Sequence, residues 1–161
     1  MNNAHKLAAV LAACFTIALF AAVGLVTINA LSTAENGAAT RKIKFFKTKD
    51  GAGAGGYDVV SYFNEARAAP GKAEYETEWG GAVWRFSTPE NRELFRANPA
   101  AYIPQYGGHC AYGASQNYLV RGDPKAWSVR KGKLYLNYNA NIRTAWLASA
   151  DDFVRDADAN W

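Results

Sequence analysis

Residues 7–31, "LAAVLAACFTIALFAAVGLVTINAL", carry no charged side chain over 25 positions. As a helix this run is about 37 Å long at ~1.5 Å per residue, and a bilayer core asks for about 20 apolar residues. The apolar part of a cleaved signal peptide is shorter, about 7–15 residues. Length therefore favours a retained N-terminal membrane anchor. The alternative is cleavage at the small-residue stretch Ser32-Thr33-Ala34, after Ala34, which would release a soluble periplasmic product. The flanks disagree on orientation. His5 and Lys6 precede the run, while five Lys or Arg follow between 41 and 49, and the positive-inside rule alone would keep the downstream chain in the cytoplasm. Small residues such as Ala8, Ala12, Ala22 and Gly24 would also let a partner helix approach closely.

Beyond the anchor, residues 32–56 read as a flexible linker, polar and small in "STAENGAAT" and glycine-rich in "KDGAGAGG". The folded domain is expected over 57–161. "GAGAGG" lacks the lysine and the strand-to-helix setting of a phosphate loop. A net charge of +4 with one basic cluster, "RKIKFFKTK" at 41–49, is too weak a stripe for nucleic acid. It suits lipid headgroups better, since it follows the apolar run.

Punctuation within the domain points to an α+β fold. "YDVVSYF" (57–63) reads as a strand or extended segment. "EYETEWGGAVWRFS" (74–87) reads as a hairpin turning at Gly80-Gly81, where two positive φ angles are needed. Tyr75, Thr77 and Trp79 share one face of its first strand, and Val83 and Arg85 one face of its second. "STPENRELFRANP" reads as a helix capped by Thr88, with Pro89 in its first turn and Leu94 and Phe95 facing the core. A second hairpin turns at Lys131-Gly132. Two C-terminal helices come last, one placing Ile142 and Trp146 at i and i+4. The other has Ser149 as cap and Phe153, Ala157 and Trp161 as its apolar stripe.

The chemistry-bearing residues are few. His109 and Cys110 stand together in "YGGHCAYG", and the other cysteine, Cys14, lies in the apolar run. Neighbours in an extended segment point to opposite faces, so the pair meets one ion only if Gly107-Gly108 bends it. A metal site asks for about four ligands, and the domain has no further His or Cys. Tyr57, Asp58, Tyr106 and Tyr112 are the oxygen candidates. The plainer reading makes Cys110 a small buried hydrophobe and His109 a surface or hydrogen-bonded residue. A nucleophilic Cys110 would need a base held in the right geometry. The many tyrosines and tryptophans fill a core or wall an apolar pocket, with "YGGHCAYG" the expected wall.

The segments "YDVVSYF", "WRFSTPENRELFRANPAAYIPQYGGHCAYG" and "DPKAWSVRKGKLYLNYN" resemble, in order and spacing, the YHS domain family, and more closely its small exported bacterial branch. The resemblance implies a YHS-type fold, export across the cytoplasmic membrane, and hence a domain on the periplasmic side. The family's metal-binding members carry three cysteines, and those positions fall on Ser61, Ser87 and Asn91 here. Ser and Asn are poor soft-metal ligands, so the resemblance does not carry a thiolate metal site onto this chain. The expected function is a non-catalytic, membrane-anchored binding module for a small ligand or metal ion. The alternatives are an accessory subunit of a larger membrane protein complex and, third, a thiol-dependent enzyme.

Overall fold

A computed structural model describes residues 44–161. The expected anchor over 7–31, the cleavage point near Ala34, Cys14 and the first two basic residues of the cluster, Arg41 and Lys42, lie outside the described residues. Among the described residues no helix is long and apolar enough to cross a membrane.

The domain is α+β: two separate antiparallel hairpins carry short helices. Helix α1 is Ser61–Asn64, and β1 (Lys72–Trp79) pairs with β2 (Ala82–Phe86). Helix α2 covers Pro89–Ala97 and α3 Ala111–Ser115. Strands β3 (Asp123–Arg130) and β4 (Lys133–Asn137) form the second hairpin, and α4 (Ala140–Ala148) and α5 (Ala150–Asn160) complete the chain. Both hairpin turns follow from backbone conformation. Gly80 and Gly81 have φ of 60° and 78°, and Lys131 and Gly132 have 48° and 72°, the pair of left-handed residues that matches strand twist.

Two aromatic clusters make the core. One gathers Val59, Tyr62, Trp84, Phe86 and Phe95 with Leu134 and Leu136, and the other gathers Tyr106, Tyr135, Trp146 and Ala157. Strand β4 joins them. Its period of two sends Leu134 and Leu136 into the first cluster and Tyr135 into the second. Helix α2 starts as read: the Thr88 hydroxyl accepts from the Asn91 amide at 3.2 Å and Pro89 occupies the first turn.

Several expectations are corrected. The folded unit starts before Tyr57. Phe45 lies in the first cluster against Trp79 and Trp84, and Gly53 N donates to Val83 O at 2.8 Å. Residues 44–56 are thus a packed arm, and the glycines that suggested a linker let it lie close to β2. "YDVVSYF" is a turn leading into α1, because the Asp58 carboxylate accepts from the amides of Val60 and Ser61 and holds the chain in a helical turn. The core face of β2 is Ala82, Trp84 and Phe86, leaving Val83 and Arg85 half-buried on the other. Phe95 is buried but Leu94 is 43% exposed. Ser149 precedes α5 without a side-chain cap.

Candidate functional site

The residues singled out from the sequence fall into three separate places. The first surrounds Asp58, whose side chain is fully buried. Its Oδ2 accepts from Ser87 N at 2.8 Å, Ser87 Oγ at 2.7 Å and Asn91 Nδ2 at 2.7 Å, while Oδ1 accepts from Val60 N at 2.9 Å and Ser61 N at 3.3 Å. Ser61 Oγ in turn donates to the carbonyls of Asp58 and Arg67. Ser87 and Asn91 therefore bring their side chains, and Ser61 its backbone amide, to one carboxylate although 30 residues of chain separate Ser61 from Asn91. A buried carboxylate without hydrogen bonds would be costly. This one is satisfied by five donors, and they tie α1 to the start of α2. Tyr57, next along the chain, packs its ring on the first cluster and joins no ligand set.

The donor chemistry does not suit a thiophilic metal. The side chains of Ser87 and Asn91 already serve the Asp58 carboxylate, the Ser61 hydroxyl serves two backbone carbonyls, and none is a thiolate. Among the described residues no group of three or more His, Cys, Asp or Glu is placed to hold a metal ion.

The second place is His109. Tyr106, Gly107 and Gly108 all have positive φ, 53°, 60° and 82°, and this tight turn carries His109 inward. The ring is 7% exposed, lies 5.8 Å from Phe46 and 6.1 Å from Trp161 between centroids, and neither nitrogen has a hydrogen-bond partner. Burial lowers its pKa. The nearby Val120 and Lys44 backbones offset this in part but supply no hydrogen bond of good geometry. The reading of His109 as a surface or hydrogen-bonded residue is corrected: it is a buried imidazole wedged between the arm and the last helix. Tyr106 belongs here too, donating to Asp158 at 2.9 Å, with its pKa raised chiefly by burial. The glycines do admit a close backbone approach, but from the arm of this same chain. Phe46 N donates to Gly107 O at 2.9 Å, and a Cβ on Gly107 would sit 2.3 Å from the Lys44 carbonyl oxygen.

The third place is Cys110, a buried free thiol. Its sulfur accepts from Gly113 N at 3.4 Å, capping α3, and its thiol contacts Asn137 Oδ1 at 3.8 Å. Asn137 is fully buried and also accepts from Tyr112 N. The thiol has no hydrogen-bonded base among the described residues, so the Cys-His pair diverges as the alternation rule requires. Beside Cys110 opens a cavity of about 200 Å³ walled by Cys110, Tyr112, Tyr118, Val120, Tyr138 and Ile142. Tyr118 and Tyr138 are among the most exposed large apolar side chains, at 48% and 43%.

Of this wall, Cys110 and Tyr112 were legible as candidates, and Tyr138 only as one of the many tyrosines that fill a core or wall a pocket. Tyr118, Val120, Ile142 and the underlying Asn137 were not, because they come from three different segments with no motif to join them. Comparison of the chain with protein-family models, with curated proteins and with solved structures finds no match.

Proposed function

We propose that the chain is a membrane-tethered, non-catalytic module of YHS type that works on the periplasmic side and binds a small apolar molecule in the cavity beside Cys110. The cavity carries this reading. It is concave, apolar in lining and rimmed by exposed aromatic rings, the combination that marks small-molecule sites. Support for the YHS frame comes from Ser61, Ser87 and Asn91, which are brought together around Asp58, the first through its backbone amide and the other two through their side chains. Their side chains are committed to hydrogen bonds, which turns the reading away from metal and towards an organic ligand.

The test uses the full chain in detergent, titrated with phenol by ligand-observed NMR and with zinc(II) by competition with a chromophoric chelator. Saturable phenol binding that Ile142→Trp abolishes by filling the cavity is the expected result. Equal phenol uptake by parent and variant overturns the site. A reporter phosphatase that folds only in the periplasm, fused after Trp161, is expected to be active, and an inactive fusion overturns the orientation.

A further inference from the structure

The cavity wall holds no charged side chain: three phenol rings, a valine, an isoleucine and a thiol. Its rim is different. The Arg121 guanidinium lies over the face of Tyr138, 5.3 Å from the ring centroid. Six of the eight arginines among the described residues are ion-paired, and Arg143 donates to Ser128. Arg121 has neither kind of partner among the described residues and is exposed. Its backbone is held by a bridge to His109, one residue from the thiol in the cavity wall.

A guanidinium on an aromatic face keeps its N–H edge directed outward, and that edge matches a carboxylate with two parallel hydrogen bonds. The stacking also holds the side chain in place, so less freedom is lost when an anion arrives. The slot beneath is smaller than the roughly 300–1,000 Å³ of sites for drug-sized ligands, which limits the occupant to one ring. From these features we infer that the ligand is a small aromatic monocarboxylate, its ring among Tyr112, Tyr118, Tyr138 and Ile142 and its carboxylate on Arg121. This inference rests on the cavity reading above and adds the anion to it.

Benzoate and its uncharged analogue benzamide separate the two. Each is titrated by ligand-observed NMR into the full chain in detergent, into Arg121→Gln and into Ile142→Trp, at low and high salt. The expected result is benzoate binding at least about ten-fold tighter than benzamide, since a charge-assisted pair contributes ~1.5 kcal/mol or more. Arg121→Gln and high salt should remove that preference, lowering the affinity for benzoate by a larger factor than that for benzamide. Equal affinity for the two probes, unchanged in Arg121→Gln, overturns the carboxylate inference and leaves the cavity reading standing. Failure of both probes to bind the parent protein overturns both.

Discussion

Asn91 Nδ2 donates to Asp58 Oδ2 at 2.7 Å, and the same amide reaches Glu65 Oε1 at 3.3 Å. One side chain at the start of α2 thereby joins the carboxylate that shapes the turn before α1 to another just after it. Asp58 acts only as an acceptor here, facing five donors. Asp58→Asn would point an N–H₂ group at some of them. It is expected to cost about 2–4 kcal/mol, read from urea unfolding. Asn91→Ala removes one donor of five and should cost less. Equal losses for the two variants would contradict the central place given to the carboxylate.

The meeting of Ser61, Ser87 and Asn91 predicts a gain of function. Replacing all three with cysteine would put two thiols where Ser87 and Asn91 now reach the Asp58 carboxylate and a third at Ser61 beside it, the composition of a closed zinc site with a carboxylate as fourth ligand. The variant is expected to take up one more equivalent of zinc than the parent, and to give thiolate charge-transfer absorption with cobalt(II). A variant that is folded by circular dichroism yet binds no more zinc than the parent would count against the YHS correspondence.

His109 gives the domain a pH response. The ordinary imidazole pKa is 6.5, and burial lowers it in the fold. As pH falls, the unfolded chain takes up this proton before the folded one. The contribution of His109 is therefore complete above the unfolded pKa and is lost as pH falls through the folded one. Lys44, the charged group facing the ring from the arm, acts in the same direction. Melting temperatures at about pH 7.5 and about pH 5 should differ more for the parent than for His109→Phe, which keeps an aromatic ring beside Phe46 and Trp161. An equal drop in both proteins would show that the imidazole does not titrate in this way.

Gly107 separates two effects of a side chain. Gly107→Ala meets both a positive φ and the Lys44 carbonyl, whereas Gly108→Ala meets a positive φ and only a 3.4 Å contact with Pro104. Both variants lose stability, but only Gly107→Ala should also lift the arm. Trypsin cleavage after Lys47 or Lys49 is then expected to accelerate in Gly107→Ala and to stay near the parent rate in Gly108→Ala. Similar cleavage of the two variants would mean that Gly107 does not seat the arm.

The parts of the fold that a local rule governs were legible from the sequence. Gly80-Gly81 and Lys131-Gly132 specify their turns through backbone conformation alone, and Thr88-Pro89 specifies the start of α2. The errors lie where a distant contact outweighs local pattern. The β-branched and aromatic run after Tyr57 looks extended until the Asp58 carboxylate claims its amides. The arm looks like a linker because its glycines hide the one residue that seats it, Phe45 between Trp79 and Trp84. At the site, the divergence of His109 from Cys110 followed from alternation. The pairing of Cys110 with Asn137 depends on how β4 lies against the start of α3, and that of Arg121 with Tyr138 on two loops 17 residues apart, and no spacing in the chain encodes either.

Phe46 and Trp161 stand 115 residues apart in the chain, yet each packs against the one imidazole of His109. The two ends of the described domain thus meet at a single side chain. A short bridge from Trp161 to Lys44, with new ends cut at the Gly80-Gly81 turn, would give a circular permutant in which both aromatic clusters and the cavity keep their contacts. Such a rearranged protein would carry its chain ends at a hairpin tip, so anything joined to those ends would leave the seating of the arm untouched.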